Sequence, residues 1–562
     1  MKTYPAAPAT NAKAHSARPE RADPRDMQNR LFARLSQNFA DEVPLYGGSL
    51  AVNLACNLAA CDLLGRAYPG FSMSAAMIEA ASGERHGAIR IGTPEEYRWV
   101  ARFFAQFGME PHNFYDMSRV GAKSQPVVAT AFRSSQRPEH RVFSSLLLVE
   151  YFDDDTRARI ESLLALRRVW TDRAKELIER GEREGGLSWP DAEALIDEAV
   201  NRVFKWTGGA RDHALYTHLC DAGFKIAADI ACFEAHHLNH LTPNTFCMDL
   251  YTGAMEYCLG EIDRAAFRDR ATRALTQMLA IADADYLRLH FKHLSAHDVA
   301  GFGRAAPGAG EVAAIVDGLV AEFAKPQYQL AELDHSGFKD FTEGPDAATP
   351  IFLRQDAYKA LSEPVLFRQP DGSTLRATHT ARFGEIEQRF FAATRQGRAL
   401  YQRCNDAAEA ARSTLPDPAR DHAAFQAAYA RFYDPIPKTL RALLKAGLAF
   451  GEYTPTAKGL AEKGRVPTSD IHELLRLGYV DVEGVRYEDF LPVSAAGIFA
   501  SNLNQYGTRA TAPNPPEFPQ SRLEAIIGRP IIDADEEYRQ RQEASIAAAL
   551  GALGVDPAAA KR

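Results

Sequence analysis

Net positive charge is missing from this chain: 65 Lys and Arg stand against 73 Asp and Glu in 562 residues, a formal charge of −8. General binding to nucleic acid or to anionic membrane needs a basic surface, so neither is expected as a partner. The seven cysteines (56, 61, 220, 232, 247, 258 and 404) are odd in number and contain no CxxC pair. They read as small buried thiols of a reducing compartment, not as a disulfide framework, and a cytoplasmic location is expected. No apolar run reaches the ~20 residues that span a bilayer. The best stretch, Gly47 to Gly65, is interrupted by Asn53, Asn57 and Asp62. An apolar h-region is also lacking near the N-terminus, so no signal peptide is expected. GxSxG, Walker A and complete GxGxxG motifs are absent, which leaves seryl hydrolases and nucleotide-binding enzymes without support. Residues 1–27 hold four prolines and no Leu, Ile, Val, Phe or Trp, the composition of a disordered arm.

Aromatic residues are plentiful, with 31 Phe, 20 Tyr and 4 Trp in a chain that is 46% hydrophobic, enough to build a large core. A helical pattern opens with Leu31, Phe32, Leu35 and Phe39. In His86-Gly-Ala-Ile-Arg-Ile-Gly92 the apolar and polar positions alternate as in a strand. Thr93-Pro-Glu-Glu96 is a capping box with Pro at the first helical position, and Val100, Phe103, Phe104 and Phe107 follow on one face up to Gly108. Strands are expected at His112–Met117, Pro126–Phe132 and Arg141–Phe152, giving the order β-α-β-β-β. Helices follow around Ile160–Trp170 and Ile196–Phe204. Strands are expected again at Ile226–Phe233 and His236–Pro243, then helices over 249–325. A strand at Pro350–Leu353, a short helix at Ala357–Leu361, a strand at Val365–Arg368 and strands on either side of Ala377–Arg389 resemble a second β-α-β-β-β unit around a helical insertion.

Three places could carry chemistry. His86 and Arg90 share a strand face ~13 Å apart with only Ala88 between them. A neutral His can hold a metal, and Arg can fork onto the carboxylate of a metal-held ligand; a surface strand with one polar face explains the same spacing. His236, His237 and His240 form a denser cluster, of which an extended chain would present His237 on one face and the other two on the opposite one. Glu385 and Glu387 alternate, so both carboxylates share a face, at a metal or at a solvated edge. Two His and one carboxylate from separate strands would make the facial triad of non-haem Fe(II) oxygenases. His290, His293 and His297 are better explained as a polar helix face. Thr454–Tyr487 could form a winged-helix-like binding module, the non-enzyme alternative, although acids offset Lys458, Lys463 and Arg465.

Several segments together resemble the bacterial 2-oxoadipate dioxygenase/decarboxylase family: Arg85–Thr93, Gly108-Met109 with Tyr115-Asp116, His237–Pro243, Thr378–Arg389, Gly397–Tyr401 and Tyr487–Phe499. They occur in family order across residues 42–505. The resemblance implies an α+β fold like that of the vicinal oxygen chelate proteins, with paired β-α-β-β-β units forming a metal-binding half-barrel that carries large helical insertions. It implies Fe(II) held by His86, His237 and a Glu of the Gly384–Gln388 segment, for which Glu385 is chosen. Arg90 matches the substrate-carboxylate Arg, and Val493 lies in a segment that contacts substrate through its backbone. The implied reaction takes 2-oxoadipate and O2 to 2-hydroxyglutarate and CO2, a step of lysine catabolism. Asn244 stands where the family usually carries Arg, and the insertion at 249–340 is long, so a different 2-oxo acid is the first alternative. A Zn or Ni isomerase or lyase of the same superfamily is the second. The domain reading is an arm at 1–27, one catalytic domain at 28–510 with the insertion inside it, and a partly helical extension at 511–562. A homo-oligomer fits this plan.

Overall fold

The computed structural model describes residues 21–119, 124–136, 138–235, 241–333, 337, 344–357, 361–369, 371–381, 385–417, 420–490 and 517–555. The described chain starts on a helix, Pro24–Glu42, earlier than the expected end of the arm at residue 27. Asp23 caps it by accepting from the N–H groups of Arg25 and Asp26, and Pro24 occupies the first turn, where its missing donor costs nothing.

The architecture is α+β with mixed sheets. β1 (Glu84–Ile91), β2 (Glu110–Asp116), β3 (Val127–Arg133) and β4 (Arg141–Leu147) form most of a five-stranded sheet. Its order is β2-β3-β4-β1, closed on the far side by the short Leu241–Pro243 strand, and only β1 and β4 run parallel. The crossover from β1 to β2 is the helix Pro94–Gln106, with the expected Thr93–Glu96 capping box, and it buries Val100, Phe103 and Phe104. The first β-α-β-β-β order is therefore the observed one.

The second half departs from expectation. Ile226–Phe233 is not a strand: Lys225–Cys232 is a helix with every residue buried. A short run that is apolar throughout has no period to separate helix from strand, and tertiary packing decides. We label the remaining strands β5 (Gly209–Arg211), β6 (Leu241–Pro243), β7 (Leu353–Ala357), β8 (Leu361–Arg368), β9 (Thr374–Ala381) and β10 (Glu385–Arg389). β7 pairs with β10, whereas β5, β8 and β9 make a separate three-stranded sheet. Of the helix expected at Ala357–Leu361, the first residue ends β7 and the last begins β8, and residues 358–360 lie outside the described residues. The β7–β10 pair sits beside β6: Asn244 bridges to Glu387, and the N–H of Thr245 donates to the Glu387 carbonyl at 3.1 Å.

Residues 248–323 are helical as expected, and on the helix Ala309–Phe323 all six residues of the stripe Val312, Ile315, Val316, Leu319, Val320 and Phe323 are buried. These helices pack within the chain around Pro44–Ala67. That helix is long and apolar enough by length and composition to cross a membrane, contrary to the reading of the sequence, yet 61% of its apolar window is buried against the rest of the protein. Its polar Asn53 and Asn57 are buried and donate to the Asn244 carbonyl at 2.9 and 3.2 Å. The two asparagines that seemed to interrupt the run instead tie it to the β6 edge.

The winged-helix-like segment is a hairpin of β11 (Gly451–Pro455) and β12 (Val480–Gly484) holding two short helices. The C-terminal helix Ala534–Ala552 covers the β11 edge, where the N–H groups of Gly451 and Tyr453 donate to Gln542 Oε1 at 2.9 Å and Ser545 Oγ at 3.0 Å. Lys458 spends its ammonium on the Leu477 carbonyl at 2.8 Å. Both arrangements close an edge a binding module would present.

Candidate active site

Pleating puts His86, Ala88 and Arg90 on one face of β1, and the parallel register sets Arg141, Phe143 and Ser145 of β4 beside them. His86 is buried, and the edge of Phe490 meets its ring with 5.0 Å between centroids. Phe490 also packs on Phe143, and its N–H donates to Tyr115 Oη at 3.3 Å. One wall beside His86 is therefore aromatic.

Glu387 comes to His86 from β10. Its Oε2 is 3.0 Å from His86 Nδ1, and the carboxylate is fully buried. Arg389, on the same strand face, grips it with Nε on Oε1 at 2.6 Å and Nη2 on Oε2 at 2.9 Å, while Arg141 adds Nη1 on Oε1 at 3.2 Å. Burial alone would raise the Glu387 pKa, but Arg389, His86 and Arg141 outweigh it and hold the carboxyl well below its ordinary range. The guanidiniums are fixed in turn. Arg141 pairs with Glu488, and Arg389 donates to the carbonyls of Tyr487 at 3.2 Å and Asp489 at 2.9 Å. Asp489 takes Arg133 at 2.9 and 3.2 Å and a hydrogen bond from Tyr538 of the C-terminal helix.

Arg90 does not stand alone on its face. Its Nη1 pairs with Asp229 of the Lys225–Cys232 helix, and both side chains are nearly buried. The same helix brings Lys225 into this region one turn earlier, also buried.

The structure thus brings His86 and the Glu387 carboxylate together, with Arg90 on the same face of β1 as His86. The backbone of Glu385 lies two residues along β10 from Glu387 and pairs with Ala357. The side chain of Glu385, the cluster His236, His237 and His240, and Val493 lie outside the described residues. Among the described residues no group of three His, Cys, Asp or Glu side chains is placed to hold a metal. The polar helix face expected from His290, His293 and His297 is not formed: His290 ends the helix Ala284–His290 and is buried, whereas His297 lies in a separate helix, Ala296–Ala300. Sequence reasoning missed Asp229, Arg141, Arg133 and Tyr538. Each acts through a partner more than 45 positions away, and no local spacing signals that.

A metal-ligating His commonly engages its other ring nitrogen with a carboxylate, which fixes tautomer and orientation. Here Nδ1 of His86 faces Glu387. Glu387 itself is committed to two guanidiniums, so a divalent ion on it would sit against two like charges.

The family model of 2-oxoadipate dioxygenase/decarboxylase matches residues 31–265 and 263–502. A curated 2-oxoadipate dioxygenase/decarboxylase of Pseudomonas putida is 34% identical over 551 residues, 95% of this chain and 98% of that protein. One of Escherichia coli is 30% identical, covering 92% of this chain and 97% of its own length. The crystal structure of the hydroxyglutarate synthase from Pseudomonas putida in complex with 2-oxoadipate superposes with a TM-score of 0.64 at 30% identity, over 95% of this chain and 99% of that one. The chain belongs to the 2-oxoadipate dioxygenase/decarboxylase family.

Proposed function

We propose that this enzyme is an Fe(II)-dependent dioxygenase/decarboxylase that converts 2-oxoadipate and O2 into 2-hydroxyglutarate and CO2. The observation that carries the reading is a buried His86 facing an ionised, doubly Arg-paired Glu387 on the strand face that also bears Arg90. In this reading His86, His237 and Glu385 hold the metal, and the β1–helix–β2–β3–β4 unit is one half of a vicinal-oxygen-chelate-like half-barrel. Bound iron supplies the place where O2 and the carboxylate and keto oxygens of a 2-oxo acid react. The six-carbon acid and both oxygen atoms are accounted for by the five-carbon hydroxy acid and CO2, so no second oxo acid is consumed.

The protein's own residues do the positioning. Arg90, oriented by Asp229, forks onto a substrate carboxylate and fixes where the chain lies relative to His86. Arg141 and Arg389 keep Glu387 ionised, so that Glu387 keeps His86 in one tautomer. Phe490, Phe143 and Tyr115 exclude water from the space beside His86, which strengthens every charge interaction there. Val493, three positions beyond Phe490, contributes a backbone contact to substrate.

Anaerobic loading with Fe(II), followed by addition of O2 and 2-oxoadipate, tests this. One O2 consumed and one CO2 released per 2-hydroxyglutarate is the expected result. Turnover without O2, or with Zn(II) or Ni(II) alone, would favour the isomerase or lyase reading. Turnover of a different 2-oxo acid in preference would keep the chemistry and change the substrate.

A further inference from the structure

A cleft of ≈ 910 Å³ lies between the helices Pro24–Glu42, Pro44–Ala67 and Ala75–Ser82 and the start of β1. Arg85 lines it, whereas His86, Arg90 and Glu387 do not. Its walls are apolar, with Phe32, Leu54, Met73 and the exposed Met77. Its floor is cationic, formed by Arg85, Lys292 and Arg486.

Those cations share few acids. Arg85 and Lys292 both donate to Glu139, at 2.9 and 3.1 Å. Lys292 and Arg486 approach Glu488 at 3.5 and 3.9 Å, yet Glu488 is already paired with Arg141. Counting Arg141 and Arg389 with Glu387, five cations share three carboxylates among the described residues. Glu79 is the cleft's other acid and sits exposed at its rim. Buried His290 also lines the floor, and its Nε2 has no hydrogen-bond partner among the described residues. An excess of desolvated positive charge is costly unless an anion offsets it. Burial lowers the pKa of Lys292 and of Arg486, while Glu139, which burial would raise, is held at about 2 by Lys292, Arg85 and Arg486.

We infer that this cleft is a second binding site, for a monocarboxylate with a short acyl chain: the carboxylate takes Arg486 and Lys292, and the chain lies along Phe32, Leu54 and the two methionines. The volume lies within the range of small-molecule sites, and methionine adapts to flexible chains. Glu488 joins this floor to Arg141 and so to Glu387, which makes the site a place from which an effector would reach the catalytic centre.

Titration of the full-length protein with octanoate, by calorimetry and by displacement of a fluorescent naphthalene sulfonate, tests the inference. Saturable binding that persists under saturating 2-oxoadipate is expected. Arg486→Gln should weaken it about 10-fold or more, the scale of one lost charge-assisted contact. Met77→Glu, an exposed change, should weaken it comparably while turnover without octanoate stays at the wild-type rate. Absence of binding at millimolar octanoate, displacement by 2-oxoadipate, or indifference to Met77→Glu overturns the proposal.

Discussion

His86 Nδ1 and Glu387 Oε2 stand 3.0 Å apart, on strands that are not neighbours but are joined through β6 and Asn244. Two features follow from this contact. The imidazole is locked in orientation by a group that is itself locked by Arg389 and Arg141, and each oxygen of Glu387 accepts from a guanidinium, Oε1 from both and Oε2 from Arg389. A metal-ligating histidine commonly has a carboxylate on its other ring nitrogen, and the proposed role of His86 rests on this contact.

The two β10 carboxylates should therefore respond differently to amide substitution. Glu385→Gln is expected to abolish metal retention. Glu387→Gln is expected to weaken metal affinity 10- to 100-fold without abolishing it, and to cost about 3–5 kcal/mol of stability, because Arg141 and Arg389 are left buried beside a neutral group. Chelator competition and denaturant unfolding on the same two variants check both. Complete loss of metal in Glu387→Gln with normal retention in Glu385→Gln would reverse the assignment.

Tyr538 links the C-terminal helix to the same centre. Its hydroxyl donates to Asp489 and accepts from the Glu488 N–H at 3.0 Å. Tyr538→Phe keeps the ring and strands both partners, so about 1–3 kcal/mol of stability should be lost. Urea unfolding measures it. An unchanged midpoint would show that the helix docks through apolar contact alone.

Much of the first half was legible because its signals are local. The Thr93–Glu96 capping box, the aromatic stripe of Pro94–Gln106 and the alternation in β1 each lie within a few residues and were observed where expected. The second half was not. Lys225–Cys232 is apolar on every side because it is buried on every side, so it carries no period. Pro44–Ala67 looked broken at Asn53 and Asn57, since nothing local reveals that Asn244, nearly two hundred positions away, would satisfy them. The same holds for the site. Alternation placed Glu385 and Glu387 on one face, but it could not reveal that Arg141 and Arg389 would converge on Glu387.

Acid should expose the burial of His290. Burial, with Arg486 nearby, lowers its pKa from 6.5 to about 3. Below pH 6.5 the unfolded chain takes up a proton that the folded chain refuses, so stability falls as pH drops toward 3. At pH 5 this costs ~2 kcal/mol relative to neutral pH. His290→Gln, which does not titrate, should lose that much less stability between pH 7 and pH 5, as read from paired denaturation curves. Parallel pH profiles for variant and wild type would mean that His290 titrates normally in the folded protein.

The pairing of Arg90 with Asp229 sets the final test. A guanidinium carries five N–H donors, one of which Arg90 gives to Asp229 through Nη1, and its fork geometry is what a lysine cannot copy. Arg90→Lys should reduce kcat/KM for 2-oxoadipate roughly 10- to 150-fold, the loss of one charge-assisted bond of ~1.5–3 kcal/mol. Metal content should stay at the wild-type level, because Arg90 is not among the proposed ligands. Asp229→Asn should instead act first on folding, since it leaves Arg90 buried without its carboxylate at a cost of about 3–5 kcal/mol. Steady-state kinetics, metal analysis and denaturation on the two variants separate the roles. Full kcat/KM in Arg90→Lys for every 2-oxo diacid tried would make the Arg90–Asp229 pair a structural clamp and move substrate recognition elsewhere.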